Sequence, residues 1–345
     1  MNNFIAFDSH KRYTLVEIEE RSTGKRRQFR VEHSRGAIEH CLKGCEAGTP
    51  VAVEATGNWY WIVDEIERAG CVPRLVHPRK AKLMMGMINK TDKLDVHGLN
   101  RLQRNETLPT VWIPPAELRD LRELTRTRMV LTSQKTRLKN RILATLSKYG
   151  FSLSEYSDSF GKKARKELER CLGTLPNLTA HTTRILLSQL DETVKEIQNI
   201  DRSIQKMAKE TPAMTRLMTM PGIGFILSVV IALEIGDITR FPSAEHLASY
   251  AGTCARVKQS GAKITYGRLR PDVNRYLKWA YVEAAHAICI NHKKYPDLYL
   301  SKVYQRIKAR RNHPKAIGAV ARNLAEATYH IWTKEESYNP EIKRG

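Results

Sequence analysis

Three strand-like runs open this 345-residue chain and are followed by strands that alternate with helices, and no other feature narrows its possible folds so far. FIAF is an apolar run that ends at Asp8. YTLVEIEE alternates apolar and polar residues with period two, STGK supplies a turn, and RQFRVEH is the third run. Ser34 stands where it can cap a helix through AIEHCLKGCEA. TPVAVEATG reads as a short buried strand with Glu54 near its end. WYWIVDEIERAG is an amphipathic helix stopped by Gly70, and CVPRLVHP is a strand again.

The resulting order, β-β-β-α-β-α-β-α, is that of an α/β RNase H-like domain, expected over residues 1–112. Residues 113–212 change character, with Ala, Leu and charged residues dominating. Leu124, Leu131 and Leu138 recur every seven residues, as do Leu190, Ile197 and Ile204. Two long helices with such seams form either an antiparallel hairpin or a coiled coil between protomers, with SEYSDSFGKK and GTLPNLT as an irregular joint. Residues 213–335 read as a mainly α C-terminal domain, and 336–345 as a loose tail. Met220-Pro-Gly-Ile-Gly matches the hairpin of a helix-hairpin-helix, whose glycines bring backbone N–H groups close to a phosphate; a plain tight turn before ILSVVIALEIG fits equally.

Asp8 and Glu54 end strands that neighbour each other in an RNase H-like sheet. Asp92 and Asp95 sit three apart at the start of a helix, on one face. Taken singly, Asp92 is a helix cap, Asp95 a first-turn acid and Asp8 a turn residue. Taken together, four carboxylates in one place repel one another unless cations neutralise them. Hard divalent ions with oxygen ligands, Mg²⁺ or Mn²⁺, suit that role and promote attack at a phosphate.

Charge points the same way. Lys and Arg number 58 against 36 Asp and Glu, a net +22, which calls for a polyanionic partner. The longest apolar stretch, Phe225 to Leu233, is too short to span a bilayer, so a membrane is not the expected polyanion. MNNFIAFDSHK has no secretory pattern, and a cytoplasmic location follows as the expectation. Cys41 and Cys45 lie one helical turn apart without a second pair at zinc spacing, and read as core thiols. Trp59, Tyr60 and Trp61 either pack in the core or offer a ring to a base.

Gln259-Ser260-Gly261 lies in a basic stretch with Arg256, Lys258, Lys263, Arg268, Arg270, Arg275 and Lys278, candidates for nucleic-acid contacts. Read alone, Ser260 is a turn serine in a binding loop, or a nucleophile if a base or metal activates it.

The chain resembles, over nearly its whole length, the DEDD-type transposases of bacterial insertion sequences, bridge-RNA-guided recombinases with a RuvC-like N-terminal domain. The resemblance rests on Phe7-Asp8-Ser9-His10-Lys11, Val53-Glu54-Ala55-Thr56-Gly57 and Lys90-Thr91-Asp92-Lys93-Leu94-Asp95. In the C-terminal part it rests on PGIG at 221–224, RFPSAEHLASYAG at 240–252, QSG at 259–261 and KAIGAVARNLAEA at 315–327. It implies that the four acids bind Mg²⁺ and that Ser260 joins covalently to cleaved DNA. It implies a composite site between protomers of a coiled-coil dimer, or a tetramer on DNA. It also implies a structured guide RNA that pairs with donor and target DNA. Two departures alter loop stiffness beside Ser260: Gly252-Thr253-Cys254-Ala255 replaces the usual Gly-Leu-x-Pro, and Ala262 stands where glycine is common. Two other readings stay open: a structure-specific, Holliday-junction-type nuclease using water, and a decayed transposase that only binds nucleic acid.

Overall fold

In the computed structural model, which describes residues 2–86, 91–261, 263–269 and 272–340, strand β1 (Asn3–Ser9) lies at the centre of a five-stranded sheet. β2 (Tyr13–Glu20) pairs with it antiparallel, and β3 (Arg26–Glu32) pairs with β2 in the same sense. After the short helix α1 (Ala37–Cys41), β4 (Pro50–Glu54) runs parallel to β1. Helix α2 (Trp59–Arg68) then leads to β5 (Val72–Val76), parallel to β4. The order β3-β2-β1-β4-β5 is that of an RNase H-like sheet. Helices α3 (Pro78–Met85) and α4 (Asp92–Arg104) follow. These elements form the first of two compact units, Met1–Pro114 and Pro115–Gly345.

Alternation along β1 sorts its side chains onto two faces. Ile5 and Phe7 join Val16, Val51, Val53 and Ile62 on the face covered by α2. Ala6 and Ala52 face the other way and meet Val96, Leu99 and Leu102 of α4. Small residues on that face let α4 lie close to the sheet. The polar side of YTLVEIEE is therefore not solvated: Glu17 is 1% exposed and Glu19 3%. Asn100 and Gln28 donate to Glu17 at 3.0 and 2.6 Å, and His97 lies 3.1 Å from it. Arg104 reaches Glu19 at 2.7 Å. This buried set pins α4 onto β2.

Ser34 does not cap α1, and the helix stops at Cys41 instead of running on through the glycines. Its N-cap is Gly36, with no side-chain cap. The free N–H groups of Gly36 and Ile38 donate instead to Glu65 of α2, at 2.7 and 3.0 Å. A carboxylate from another helix neutralises the helix start, which local sequence cannot show.

The second unit begins with α5 (Ala116–Lys148). The joint expected after it contains a further helix, α6 (Lys162–Thr174), before α7 (Asn177–Met207). Arg128 pairs with Asp201, and the Tyr149 hydroxyl lies 3.1 Å from Thr179 Oγ1, so α5 and α7 run antiparallel. Buried Ala180, Thr183, Leu187, Leu190, Ile197 and Ile204 form the α7 side of the seam. The remaining helices are α8 (Pro212–Met218), α9 (Phe225–Ile235), α10 (Ala244–Tyr250), α11 (Arg275–Ile290), α12 (Tyr299–Arg310) and α13 (His313–Lys334). They enclose one core around the fully buried Tyr281. Between α10 and α11 a two-stranded hairpin, β6 (Ala255–Ser260) and β7 (Lys263–Leu269), forms a sheet of its own. Among the described residues, no helix is long and apolar enough to cross a membrane.

Candidate active site: a carboxylate centre and a serine hairpin

β1 carries Asp8 on the face that α4 covers, and the residue is 8% exposed. Phe7 pairs with Val53 in parallel register, so Asp8 and Glu54 follow at matching positions on neighbouring strands. Neighbouring strands lie about 4.8 Å apart, and alternation turns both acids to the same face. α4 supplies the other two. Its cap is Thr91, whose hydroxyl accepts from the Leu94 N–H at 3.3 Å, so Asp92 is not the cap but the first helical residue. Asp95 follows in the same turn, where the helix dipole favours negative charge.

Two residues to which the sequence assigns no role, His10 and Tyr13, join the cluster. His10 Nε2 lies 3.2 Å from Asp8 Oδ2 and 3.2 Å from Asp92 Oδ2. The Tyr13 hydroxyl donates to Asp92 Oδ2 at 3.1 Å. The imidazole stacks on the Tyr13 ring at 4.5 Å between centroids, and the Arg30 guanidinium lies 3.7 Å above that ring. Asn58 donates to the His10 carbonyl at 2.9 Å. Only the motif Phe7-Asp8-Ser9-His10-Lys11 hints at this arrangement, because the partners of His10 come from β1 and from α4.

Burial pushes the Asp8 carboxyl above its usual range; His10 pulls it back, and the charges of Asp92 and Asp95 raise it again. A cation would relieve both the desolvation and the repulsion. Asp8, His10 and Asp92 offer ligand atoms that all lie within 4.8 Å of one another. His10 Nε2 is itself buried and makes no hydrogen bond of acceptable geometry. The donor set fits a divalent metal ion. Glu17, Glu19 and His97 also cluster this closely. Glu19 is already paired with Arg104, and Glu17 accepts from the Gln28 and Asn100 amides, so that group is a clamp.

Ser260 ends β6 in the second unit, paired in register with Lys263 across the turn. It is exposed and lines an open hollow of about 680 Å³ with Val257, Gln259, Lys263 and Thr265. Among the described residues its hydroxyl has no hydrogen-bond partner. The feet of the hairpin are held firmly. Gly252 has φ +69°, and a Cβ there would lie 2.5 Å from Val273. Thr253 is buried and donates to the Ala248 carbonyl at 2.9 Å. Asn274 caps α11 and donates to Glu234 Oε2 at 2.7 Å. Glu234 is fully buried and accepts two bonds from Arg126, at 2.8 and 3.1 Å. The variant segment Gly252–Ala255 is thus part of a packed base.

Arg256 and Lys263 are exposed on the hairpin. Arg275 begins α11 with its guanidinium 3.0 Å from the Tyr276 hydroxyl, and Lys278 is half-buried one turn on. Lys90, Ala262 and Arg270 lie outside the described residues, as do the side chains of Lys258 and Arg268. Trp59 and Trp61 pack partly against the sheet core. Burial pushes the Cys41 thiol up to about 11, in keeping with an unreactive core thiol.

Comparison with known proteins matches both units. A family model for a DEDD-type transposase of the IS110 group matches residues 5–151, and one described as Transposase IS116/IS110/IS902 family matches 214–300. A transposase for insertion sequence element IS1111A from Coxiella burnetii is 23% identical over 295 residues, 84% of this chain and 79% of that one. An IS110 protein from Streptomyces coelicolor is 33% identical over 161 residues, 46% of this chain and 38% of its own. A pilin gene-inverting protein from Moraxella bovis is 25% identical over 299 residues, 84% of this chain and 82% of its own.

Proposed function

This chain is an IS110-type transposase, an enzyme that cleaves and rejoins DNA, and on that premise we propose how its residues divide the chemistry. Asp8, Glu54, Asp92 and Asp95 hold divalent metal, Mg²⁺ or Mn²⁺, against the scissile phosphate. When bound, the ion supplies charge neutralisation at the phosphate and a lowered pKa for the attacking hydroxyl. Ser260 is the nucleophile. Its Oγ–P bond forms as a P–O bond of the DNA breaks; the hydroxyl proton leaves to a base and the departing DNA oxygen is protonated. Attack by a DNA hydroxyl on the phosphoserine then rejoins the strand and restores Oγ–H.

The observation that carries this reading is the meeting of Asp8 and Asp92 at the end of β1 and the start of α4. The Ser260 assignment draws support from its exposure on a basic hairpin with rigid feet. A serine hydroxyl needs an activator, and its hairpin offers only Lys263 beside it among the described residues.

Arg256, Lys258, Lys263, Arg268, Arg270, Arg275 and Lys278 hold DNA or RNA phosphates in this reading. Gly222 and Gly224, between α8 and α9, form the hairpin of a helix-hairpin-helix. The α5–α7 pair extends to a coiled coil with a second copy, and Val130 and Ile185, about half exposed, are apolar residues available to it. A structured guide RNA accounts for part of the net charge of +22.

The test compares the wild type with Asp8→Asn and Glu54→Gln on a plasmid that carries the insertion element with its flanks. Strand cleavage and rejoining that need added divalent metal, and that either substitution abolishes, are the expected result. Among the described residues no group other than Lys263 stands beside Ser260 to act as a base, which also fits a nuclease that uses water; cleavage without rejoining in the wild type identifies that activity.

A further inference from the structure

We propose that His10 is a ligand of the metal ion held at Asp8 and Asp92, and that its imidazole biases the centre toward Mn²⁺ over Mg²⁺. This rests on the metal-centre reading above and revises its all-oxygen ligand set.

The spacing carries the argument. His10 Nε2 stands 3.2 Å from Asp8 Oδ2 and 3.2 Å from Asp92 Oδ2. Adjacent ligands on an octahedral ion with bonds of about 2.1 Å are about 3.0 Å apart. The nitrogen therefore already lies at the edge length of a coordination polyhedron from each carboxylate. The atom is buried and, although 3.2 Å from each carboxylate, forms no hydrogen bond to either. A buried nitrogen without a hydrogen bond costs free energy, and coordination would recover it. The ring is also held in place before metal arrives. Tyr13 stacks beneath it, and its backbone is fixed on both sides: Asn58 donates to the His10 carbonyl at 2.9 Å, and the His10 backbone N–H donates to the Tyr13 carbonyl at 2.9 Å. Preorganisation of this kind marks a ligand more than a solvated side chain.

Mg²⁺ takes oxygen donors and gives up water reluctantly, whereas first-row transition ions accept imidazole nitrogen readily. One nitrogen among carboxylates shifts preference toward the transition ion without excluding Mg²⁺.

The experiment is pulsed electron paramagnetic resonance of Mn²⁺ bound to the full chain, with ordinary and with ¹⁵N-labelled histidine. The expected spectrum shows nitrogen coupling to Mn²⁺ that changes with the label and disappears in His10→Ala. Titration should then show Mn²⁺ affinity falling about tenfold in His10→Ala, and Mg²⁺ affinity falling clearly less. His10→Gln, with folding checked by circular dichroism, guards against a misfolded variant. Mn²⁺ bound in an Asp8-dependent way without nitrogen coupling overturns the His10 assignment and leaves the metal centre standing. Mn²⁺ binding that ignores Asp8→Asn, or no binding at all, overturns both.

Discussion

Tyr13 and Asp92 are joined by a 3.1 Å hydrogen bond, from the phenol hydroxyl to Oδ2. The bond ties β2 to the first residue of α4, and it aims the carboxylate toward His10 and Asp8. Tyr13→Phe removes the donor and keeps the ring on which His10 stacks. The metal concentration that half-saturates the protein should rise roughly threefold to tenfold, the low end of what partners of metal-binding groups contribute. The thermal midpoint should fall by no more than about two or three degrees, since losing one hydrogen bond costs about 1 kcal/mol. An unchanged metal titration would remove Tyr13 from the site.

Asp8 offers a test by pH. Its carboxyl is raised above the ordinary value, first by burial. A raised acid contributes stability below the unfolded pKa of about 3.9 and loses it as pH rises through the folded value. At neutral pH the ionised Asp8 therefore burdens the metal-free fold. Asp8→Asn carries no such charge, so with chelator present it should melt higher than wild type at pH 7. The gap should close as pH falls toward 4. A variant that melts lower at pH 7 contradicts the direction of the shift.

The two glycines of the Met220–Gly224 motif should behave differently. Gly222 has φ +79°, and a Cβ there would meet the Ala284 carbonyl oxygen at 2.5 Å. Gly222→Ala should cost about 2 kcal/mol or more through backbone strain and the clash. Gly224 has φ −96° and open space around it, so Gly224→Ala should cost under about 1 kcal/mol. Urea unfolding measures both. If this turn approaches phosphate as a helix-hairpin-helix does, Gly224→Ala weakens duplex DNA binding at unchanged stability; equal affinity leaves the motif a packing device.

Glu234 is fully buried and faces Arg126, Asn274 and the 4%-exposed Arg122 side chain. Glu234→Ala strands those groups and should cost about 3 kcal/mol, as breaking a buried ion pair does. It also leaves Asn274 tied only to Tyr250 and to the start of α11, so the hairpin that carries Ser260 should exchange amide hydrogens faster at its feet than elsewhere in the unit. Uniform exchange across the unit would mean that Glu234 supports the core without positioning the hairpin.

Much of the first unit was legible in sequence because its signals are local. The apolar run into Asp8, the Glu54 strand and the helix that starts at Asp92 lie where the sequence pattern places them, with Thr91 and not Asp92 as the cap. What stayed hidden depends on partners far along the chain. Glu17 and Glu19 lie on the polar side of an alternating strand, yet both are buried under α4, where Asn100 donates to Glu17 and Arg104 pairs with Glu19, each from more than eighty residues away. Glu65 replaces Ser34 at the start of α1 from a different helix. α6 went unread because Gly161 and Gly173 broke the pattern at its ends. His10 carries no legible role within Phe7–Lys11, because its two carboxylates meet only when α4 folds onto β1.

The division of labour between the carboxylates and Ser260 is tested most directly by trapping the protein on DNA. The chain is expressed with the insertion element and its flanks, incubated with Mn²⁺ or Mg²⁺, denatured, and analysed by mass spectrometry for peptide joined to nucleotide. A metal-dependent phosphodiester link at Ser260, absent in Ser260→Ala and in Asp8→Asn, is the result the account requires. Cleavage that persists in Ser260→Ala, with free ends and no joined peptide, would contradict it and leave water as the nucleophile.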